Sequence, residues 1–179
     1  VGFIEAGDIL PPQAFFKLAL HTIRKPEWQA VYTDEDQVNT DSYRSNPLFK
    51  PDYNADLLHA YPYTGGLCLF QRELYSSLGG VNSEKDGIEV YDLLLRCTER
   101  IPAPAIGHLA EILYTRFDRG GHSVRSWEEI SQSGAQSLRE HFSRRGIAAE
   151  VGSGPYLGTY TVTYPLEHTP LVSILIPTR

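Results

Sequence analysis

The sequence predicts an α/β fold in which helices flank a mostly parallel sheet, with a further helix and a small β-hairpin near the C-terminus. Short apolar runs rich in β-branched or aromatic residues, such as WQAVYT at 28–33, alternate with segments whose apolar residues recur at helical spacing. The joints between them are short, as in the βαβ units of a parallel sheet. The runs IAAEV and GTYTVTY alternate apolar and polar residues, which is typical of a two-stranded hairpin.

The N-terminal segment predicts a strand, a helix and a second strand. The first strand ends with Val1 to Ile4 and is followed by the turn EAGD. The helix begins near Pro11 or Pro12, because proline is tolerated in a first turn, and it ends before Pro26. Its apolar face consists of three residues at helical spacing: Phe16, Leu20 and Ile23. The second strand, Trp28 to Thr33, runs directly into the acidic segment DEDQVNTD.

The middle of the chain predicts loops, short helices and two more strands. Pro, Asn, Asp and Tyr are frequent from Ser42 to Tyr63, which predicts loop with a short helix over Ala55 to Ala60. A strand over Gly65 to Gln71 precedes RELYSSLGG, which predicts a short helix closed by glycine. GIEVYDLLLRCTER predicts a helix that ends before Pro102, and GHLAEILYTR predicts the next strand.

The C-terminal third predicts one long helix, the hairpin and a last strand. Ser126 and Glu129 have the spacing of a capping box, so the helix begins there, and Gly146 ends it. Its apolar stripe consists of four residues: Trp127, Ile130, Leu138 and Phe142. The hairpin leads into a linker at 165–170. LVSILIPTR at 171–179 is then an apolar, β-branched run that is typical of a buried strand.

Composition limits the classes of function. A chain of 179 residues is one domain, or one domain with a small appendage, and its 41% hydrophobic and 21% charged content is that of a globular chain with a real core. The net charge of -6 and the lack of a basic stretch argue against a nucleic-acid partner. No apolar run approaches the ~20 residues of a membrane span. Cys68 and Cys97 lie in apolar segments, which predicts buried free thiols in a reducing compartment.

Two acidic clusters follow the first two predicted strands. Their members are Glu5 and Asp8, then Asp34, Glu35 and Asp36. Ligands of an open parallel sheet bind outside the carboxyl ends of its strands, so both clusters face one crevice if the strands are neighbours. A hard cation such as Mg²⁺ would shield carboxylates packed in this way. The alternative, which spacing alone favours, is that each cluster is a solvated turn.

The order of the motifs adds a family resemblance. FIEAGDILPPQAF, VYTDEDQV, FKPDYNADLL, YTGGLCLFQRELYSSLGG, YDLLLRCTER and GHLAEILYTR follow one another with the spacing of family 2 glycosyltransferases. The chain resembles the polysaccharide and O-antigen type, which carries tandem GT-A-type domains. The resemblance implies a partial, Rossmann-like GT-A sheet. It also implies three parts: an acceptor-side C-terminal half of one domain at 1–123, a helix-and-hairpin connector at 124–169, and the first strand of a following domain at 170–179.

The resemblance implies a chemistry and its partners. Enzymes of this family transfer a sugar from a nucleotide-sugar to a hydroxyl of a glycan acceptor, with inversion. A divalent cation, Mg or Mn, sits on a DxD motif, and a carboxylate acts as general base. The resemblance also implies a cytoplasmic location, either free or at the inner face of the cell membrane. It further implies that the chain lacks the first half of its domain, which in the family binds the base and ribose of the nucleotide. The chain is therefore expected to be inactive in isolation.

Two of the family's motifs are altered in this sequence. The DxD positions carry over as Glu5 and Asp8, with Gly7 in the inner place, so metal binding is expected to be weak or absent. Val90 occupies the position of the base, which leaves Glu89 and Asp92 as candidates. For Asp92 the alternative is an i,i+4 ion pair with Arg96. A later histidine motif is also altered, and His122 is either its replacement or a solvated loop residue.

Seven residues are candidates for substrate binding: Asp34, Asp36, Lys50, Tyr63, Gly79, Gly80 and Arg96. Lys50 would meet a phosphate or pair with a carboxylate such as Asp52. Tyr63 would stack on a sugar ring or pack in the core. The glycine pair would border the acceptor or merely end a helix. His108, at the head of a strand, is expected to be structural.

Two hypotheses of function remain open, and a separate prediction concerns the last strand. The chain is either a glycosyltransferase fragment or a catalytically silent module that binds glycan or supports its neighbour. The final prediction is that Leu171 to Pro177 lies parallel to Val1 to Glu5 and fills the place of a missing strand. That strand would come from the same chain or, by strand exchange in a dimer, from a second molecule.

Overall fold

A computed structural model describes residues 1–118, 126–166, 168–169 and 171–177. The described α-helices are Ala14–Arg24 (α1), Ala55–Ala60 (α2), Arg72–Ser77 (α3), Glu89–Thr98 (α4) and Trp127–Arg144 (α5). The strands are Ala30–Val38 (β1), Arg44–Leu48 (β2), Cys68–Phe70 (β3), Ile106–Phe117 (β4), Glu150–Ser153 (β5) and Tyr160–Thr163 (β6). The fold is therefore α/β, as predicted, and β5 and β6 form the predicted hairpin.

The larger sheet is built around β1. Strand β4 runs parallel to it from Ala30 to Val38, whereas β3 and β2 run antiparallel to its first and second parts. The sheet is thus mixed, and its longest pairing is the parallel one. Strand β2, which contains Pro47 and is largely exposed, was not predicted. Proline is tolerated in such an edge strand, where its missing N–H faces solvent.

Helices cover both faces of this sheet. Ala30 and Tyr32 of β1 belong to a large core that includes residues of α2, α4 and α5, such as Leu58 and Leu94. Val31 points to the other face and belongs to a smaller core with residues of α1 and β4. Because successive residues of a strand face opposite sides, β1 is apolar on both and is covered on both.

Helix α1 buries a different face from the predicted one. Ala14 and Leu18, one turn apart, face the sheet, whereas Phe16 and Ile23 are 69% and 77% exposed. The small side chain of Ala14 lies in full contact with the sheet, at 0% exposure. Helical spacing predicted the helix correctly, but it fitted two apolar faces, and packing against β4 selected the other one.

The first strand is reduced to a single bridge. Gly2 pairs antiparallel with Leu69 of β3, and Ile9 forms a second isolated bridge with Thr115 of β4. The predicted βαβ unit of the first strand, α1 and β1 is therefore wrong, because the parallel neighbour of β1 is β4. Backbone bonds between Val1 and Phe70 complete the contact with β3.

The C-terminal helix and hairpin agree with their local signals. Ser126 and Glu129 form the predicted capping box, and Leu138 and Phe142 are buried on the predicted stripe. Trp127 departs from it, at 58% exposure. Cys68 and Cys97 are buried free thiols, as predicted, and burial raises their pKa values to about 11 and about 12.

The prediction that the last strand lies beside Val1 to Glu5 of the same chain is wrong, whereas strand exchange with a second molecule stays a prediction. Residues 171–177 have no strand structure, and Leu171 and Leu175 are 97% and 92% exposed. The region of Val1 to Glu5 offers one bridge instead of an extended edge, so it gives a further strand little to pair with. In the described ranges, every helix is too short or too polar to cross a membrane.

Candidate functional site

The loop between α3 and α4 forms a pocket that contains several of the predicted residues. Its volume is about 330 Å³, which is at the small end for a ligand site. The pocket is lined by Leu78, Gly79, Gly80, Val81, Asn82, Asp92 and Arg96. We call it the glycine-loop pocket. Four of the predicted site residues therefore lie around one pocket: Gly79, Gly80, Asp92 and Arg96.

The glycine pair gives the loop its course. Gly79 and Gly80 both have φ of 75°, a left-handed conformation that other residues rarely adopt. The Gly80 N–H donates to the carbonyl of Tyr75 at 3.0 Å, which closes the last turn of α3. The pair therefore ends a helix, as one interpretation predicted, and in doing so it forms one wall of the pocket.

Arg96 holds this loop in place. Its Nε donates to Asp92 Oδ2 at 2.9 Å, and its two terminal nitrogens donate to the carbonyls of Leu78 and Gly80, each at 2.8 Å. The i,i+4 pair that was the alternative for Asp92 is therefore present. The Asp92 side chain is 3% exposed, and its charge is balanced by the guanidinium.

Glu89 and Val90, the other two positions around the expected base, lie outside the glycine-loop pocket lining. Glu89 is the first residue of α4, and its Oε2 accepts a hydrogen bond from the Gly87 N–H at 2.9 Å. A carboxylate at this point is stabilised by the helix dipole, which needs no catalytic role. Val90 is half-buried against the large core. Of the three positions, Asp92 lines the glycine-loop pocket.

The acidic segment of β1 is buried, so the interpretation as a solvated turn is wrong. Asp34, Glu35 and Asp36 are 3%, 2% and 6% exposed. Strand β1 continues through them to Val38, and its register with β4 shifts twice next to Asp34. Such bulges re-aim side chains locally, and here they accompany the burial of three consecutive carboxyl groups.

Each of these carboxylates has a cationic or histidine partner. Asp34 Oδ1 lies 2.8 Å from His108 Nε2, and Asp36 Oδ2 accepts from Arg44 Nε at 2.7 Å. The Glu35 carboxylate accepts from the Gly66 N–H at 2.8 Å, and Arg116 Nε lies 3.1 Å from Oε1. Buried charges require such partners, since an unpaired one is strongly unfavourable.

Lys50 is the internal cation of this network. Its Nζ donates to Glu35 Oε2 at 2.9 Å and to the carbonyls of Thr33 and Thr64 at 2.7 and 2.6 Å. The ammonium group has three N–H bonds, so all three are used. Its expected carboxylate partner, Asp52, has a side chain that is 97% exposed and contacts His108 instead. Lys50 therefore pairs with a carboxylate, but with Glu35.

Tyr63 and His108 lie in the interior. Tyr63 is 1% exposed, and its hydroxyl accepts from the Asn54 N–H at 2.9 Å. The core-packing alternative is the one observed, because stacking on a sugar needs an open ring face. His108 bridges Asp34 and Asp52 and stacks on Tyr32 at 4.9 Å between ring centroids. That is the structural position that was expected of it.

The altered DxD segment forms a turn against the end of β4. The Asp8 N–H donates to the Glu5 carbonyl at 3.1 Å, and Gly7 has φ of 93°. Asp8 Oδ1 accepts from the Phe117 N–H at 3.0 Å, and Oδ2 accepts from the Tyr114 hydroxyl. Burial and this bond to Asp8 raise the pKa of Tyr114.

A divalent cation prefers several oxygen ligands, and weak or absent metal binding at Glu5 and Asp8 stays a prediction. Both oxygens of Asp8 are engaged. In the ranges that the structure describes, no three His, Cys, Asp or Glu residues come together as a metal group. His122 lies outside the described residues.

Two curated proteins are similar to the chain along its whole length. It is 37% identical over 180 residues to the O-antigen biosynthesis protein RfbC of Myxococcus xanthus, covering 99% of this chain and 14% of RfbC. It is 34% identical over 183 residues to the uncharacterized protein y4gI of Sinorhizobium fredii, covering all of this chain and 20% of that protein. No protein-family model matches the chain. The chain thus resembles a segment of a polysaccharide biosynthesis protein.

Sequence reasoning missed the partners that complete the site. Arg44 and Arg116 balance Asp36 and Glu35, and both come from strands whose register could not be predicted. It also missed a second pocket, between α2 and the hairpin. A usable signal was present in the helices, since His59 and His141 each fall on the apolar side of their helix.

Proposed function

We propose that the chain is the acceptor-side half of an inverting glycosyltransferase domain in cell-surface polysaccharide biosynthesis. A longer protein would supply the site for the nucleotide-sugar. The observation that carries this proposal is the glycine-loop pocket, because it gathers Gly79, Gly80, Asp92 and Arg96. The resemblance to family 2 enzymes implies that the glycine pair borders the acceptor site, and it leaves Asp92 as a candidate for the base. The similarity to RfbC along 99% of the chain supports the same pathway class.

In this proposal the chain binds and orients the acceptor. The pocket is lined by loop backbone and by the side chains of Asn82, Asp92 and Arg96, which suit the hydroxyl groups of a sugar. Asp92 acts as a positioning residue, because its charge is bound to Arg96 and Arg96 in turn holds the loop carbonyls. No step is assigned to a metal ion.

A catalytically silent, glycan-binding module is the second candidate. Val90 at the position of the base favours it, because a valine accepts no proton. Under this candidate the pocket still binds a glycan, and another part of the longer protein performs the transfer. Both candidates share the binding of an acceptor glycan, and they differ in whether the glycine-loop pocket lies at a reacting centre.

The test uses the full-length protein that contains this chain. Release of nucleoside diphosphate from UDP-, GDP- and dTDP-sugars is measured with Mn²⁺ and a glycan acceptor, for the wild type and for Gly79→Ala. Gly79 lines the pocket, and an added Cβ there has no heavy atom within 4 Å, so the substitution strains the backbone without a clash. The matched control is Gly146→Ala, where φ is 64° and the added Cβ is equally free, away from the pocket.

The expected result is transfer by the wild type, a raised KM for the acceptor in Gly79→Ala, and unchanged kinetics in Gly146→Ala. Transfer that is unaffected by Gly79→Ala would favour the silent module. Absence of transfer from every nucleotide-sugar would contradict the glycosyltransferase proposal. The 179-residue chain by itself is expected to show no transfer, and turnover by it would contradict the assignment of an acceptor-side half.

A further inference from the structure

A second pocket of about 400 Å³ lies where α2 meets the hairpin. Three of its residues come from α2 and three from the strand β6 and the segment after it: Asp56, His59 and Ala60, then Tyr160, Val162 and Tyr164. We call it the hairpin pocket. It is separate from the glycine-loop pocket, and the proposed acceptor site does not use it.

His59 brings a polar side chain to the lining of this pocket. His59 is 8% exposed, and its Nδ1 is buried without a hydrogen-bond partner among the described residues. Burial and the nearby His141 lower the pKa of His59 to about 4, so the imidazole is neutral at physiological pH. A neutral imidazole carries one donor and one acceptor, which suits a hydroxyl group. Because Nδ1 is buried, a hydroxyl group of a ligand would have to reach the other ring nitrogen, Nε2.

The pocket also has aromatic and carboxylate groups. The ring of Tyr164 is 45% exposed and packs edge-on against Phe142, with 6.0 Å between centroids. The ring of Tyr160 stacks on Tyr91 at 6.3 Å and is buried. Asp56 is in the same lining, and its charge adds to burial in raising the pKa of Tyr164. The hairpin pocket therefore combines an accessible ring face with an acceptor of hydrogen bonds.

The hairpin wall of the pocket is preformed. The Tyr160 hydroxyl lies against Gly134 of α5, where a Cβ would come within 1.9 Å of it. Arg139 donates to the carbonyl of Val151 at 2.8 Å, and the Gly158 N–H donates to Ser131 Oγ at 3.2 Å. Because α5 holds the hairpin at several points, a ligand need not order it on binding.

We infer that the hairpin pocket binds a neutral sugar residue of a glycan. The apolar face of a sugar ring would pack on Tyr164 and Val162, and its hydroxyl groups would bond to the Asp56 carboxylate and to His59. Asp56 is the charged residue of the pocket lining and disfavours anionic ligands such as phosphate, whereas the nearby Arg145 lies outside the lining. The choice of a sugar over another neutral polyol rests on the proposed function.

The test is a direct binding measurement on the 179-residue chain. The ¹⁵N-labelled chain is titrated with the methyl glycosides of glucose, galactose, mannose and N-acetylglucosamine. Amide shifts are expected at 56–60 and 160–164 with at least one of them, at millimolar affinity. Tyr164→Ala and Asp56→Asn should each weaken this binding about tenfold or more, a loss of about 1.4 kcal/mol or more. Tyr156→Ala is the matched control, because Tyr156 is on the same hairpin, 76% exposed and outside the pocket lining.

The outcomes separate the two proposals. Shifts confined to 78–82, or no shifts with any glycoside, would overturn the hairpin site. Equal weakening by Tyr156→Ala and Tyr164→Ala would also overturn it. Shifts at the hairpin together with no transfer by the full-length protein would support the hairpin site and contradict the glycosyltransferase proposal. The spectra of the variants report whether they fold, so a loss of binding is interpreted for folded protein alone.

Discussion

Asp92 and Arg96 form an ion pair one turn apart on α4, with 2.9 Å between Oδ2 and Nε. Their side chains are 3% and 16% exposed, so this pair differs from the surface i,i+4 pairs that contribute little to stability. The same guanidinium holds the carbonyls of Leu78 and Gly80. The pair therefore connects the stability of α4 to the shape of the glycine loop.

Removing Arg96 should destabilise the protein strongly. Arg96→Ala leaves the buried carboxylate of Asp92 without its cation and two carbonyls without their donor, so the free energy of unfolding should fall by about 3–5 kcal/mol. Urea unfolding followed by circular dichroism measures this. Arg100→Ala, at an exposed position just after the helix, should change it by less than about 0.5 kcal/mol. Similar losses in both variants would contradict a special role of Arg96.

The two glycines of the loop should respond unequally to alanine. Both have φ of 75°, so each substitution should cost about 1–2 kcal/mol from the left-handed backbone. At Gly80 the added Cβ also meets the Tyr75 hydroxyl at 2.9 Å, whereas at Gly79 nothing lies within 4 Å. Thermal unfolding should therefore rank Gly80→Ala below Gly79→Ala in stability, with Gly146→Ala close to Gly79→Ala. An inverted order would show that Tyr75 moves away without loss.

Lys50 should be required for stability even though it is charged and buried. Lys50→Met leaves Glu35 with Arg116 as its remaining cation and removes a donor from two carbonyls, which should cost about 3–5 kcal/mol. Lys25→Met is the matched control, since Lys25 is a 56% exposed side chain 4.0 Å from Glu27. The double variant Lys50→Met with Glu35→Gln should lose less than the sum of the single losses. Additive losses in urea unfolding would contradict the coupling.

Stability should fall on mild acidification because of the buried histidines of α2 and α5. Burial lowers the pKa of His59 to about 4 and also lowers that of His141. The unfolded chain, with an ordinary pKa near 6.5, then binds more protons than the folded chain between these values. Stability is therefore complete above pH 6.5 and is lost as the pH falls toward 4, by about 1–3 kcal/mol for His59.

The charged groups around His59 and His141 determine the pH range in which stability is lost. The charges near His59 are those of His141, Asp56 and Arg145. His141 Nδ1 lies 2.9 Å from Glu99, which also binds Arg144. Burial raises the pKa of Glu99, but these two bonds bring it below the ordinary value, so its contribution is lost at lower pH than that of the histidines.

Urea unfolding at a series of pH values tests the histidine prediction. His59→Gln should flatten the dependence between pH 6.5 and 4, whereas His168→Gln, at an exposed position, should leave it unchanged. An unchanged slope in His59→Gln would assign the dependence to other groups. A loss of stability on raising the pH through this range would contradict the sign of the prediction.

The sequence by itself determined the elements whose signals are local. The capping box of Ser126 and Glu129 begins α5, and α2 spans Ala55–Ala60 as predicted. The glycine pair ends α3, and the alternating runs near the C-terminus form the hairpin. In each case the backbone conformation depends on residues within about one turn or one hairpin, so a short stretch of sequence contains the information that it needs.

Only the tertiary structure decided which residues are buried and what they contact. DEDQV has the composition of a solvated turn, yet strands and helices from elsewhere cover it, so Glu35 and Asp34 require partners. Those partners, Lys50 and His108, lie 15 and 74 residues away along the chain. The same holds for the face of α1 and for the exposure of Leu171 to Pro177. Burial sums contacts from distant segments, and the periodicity of one segment does not report which of them will approach it.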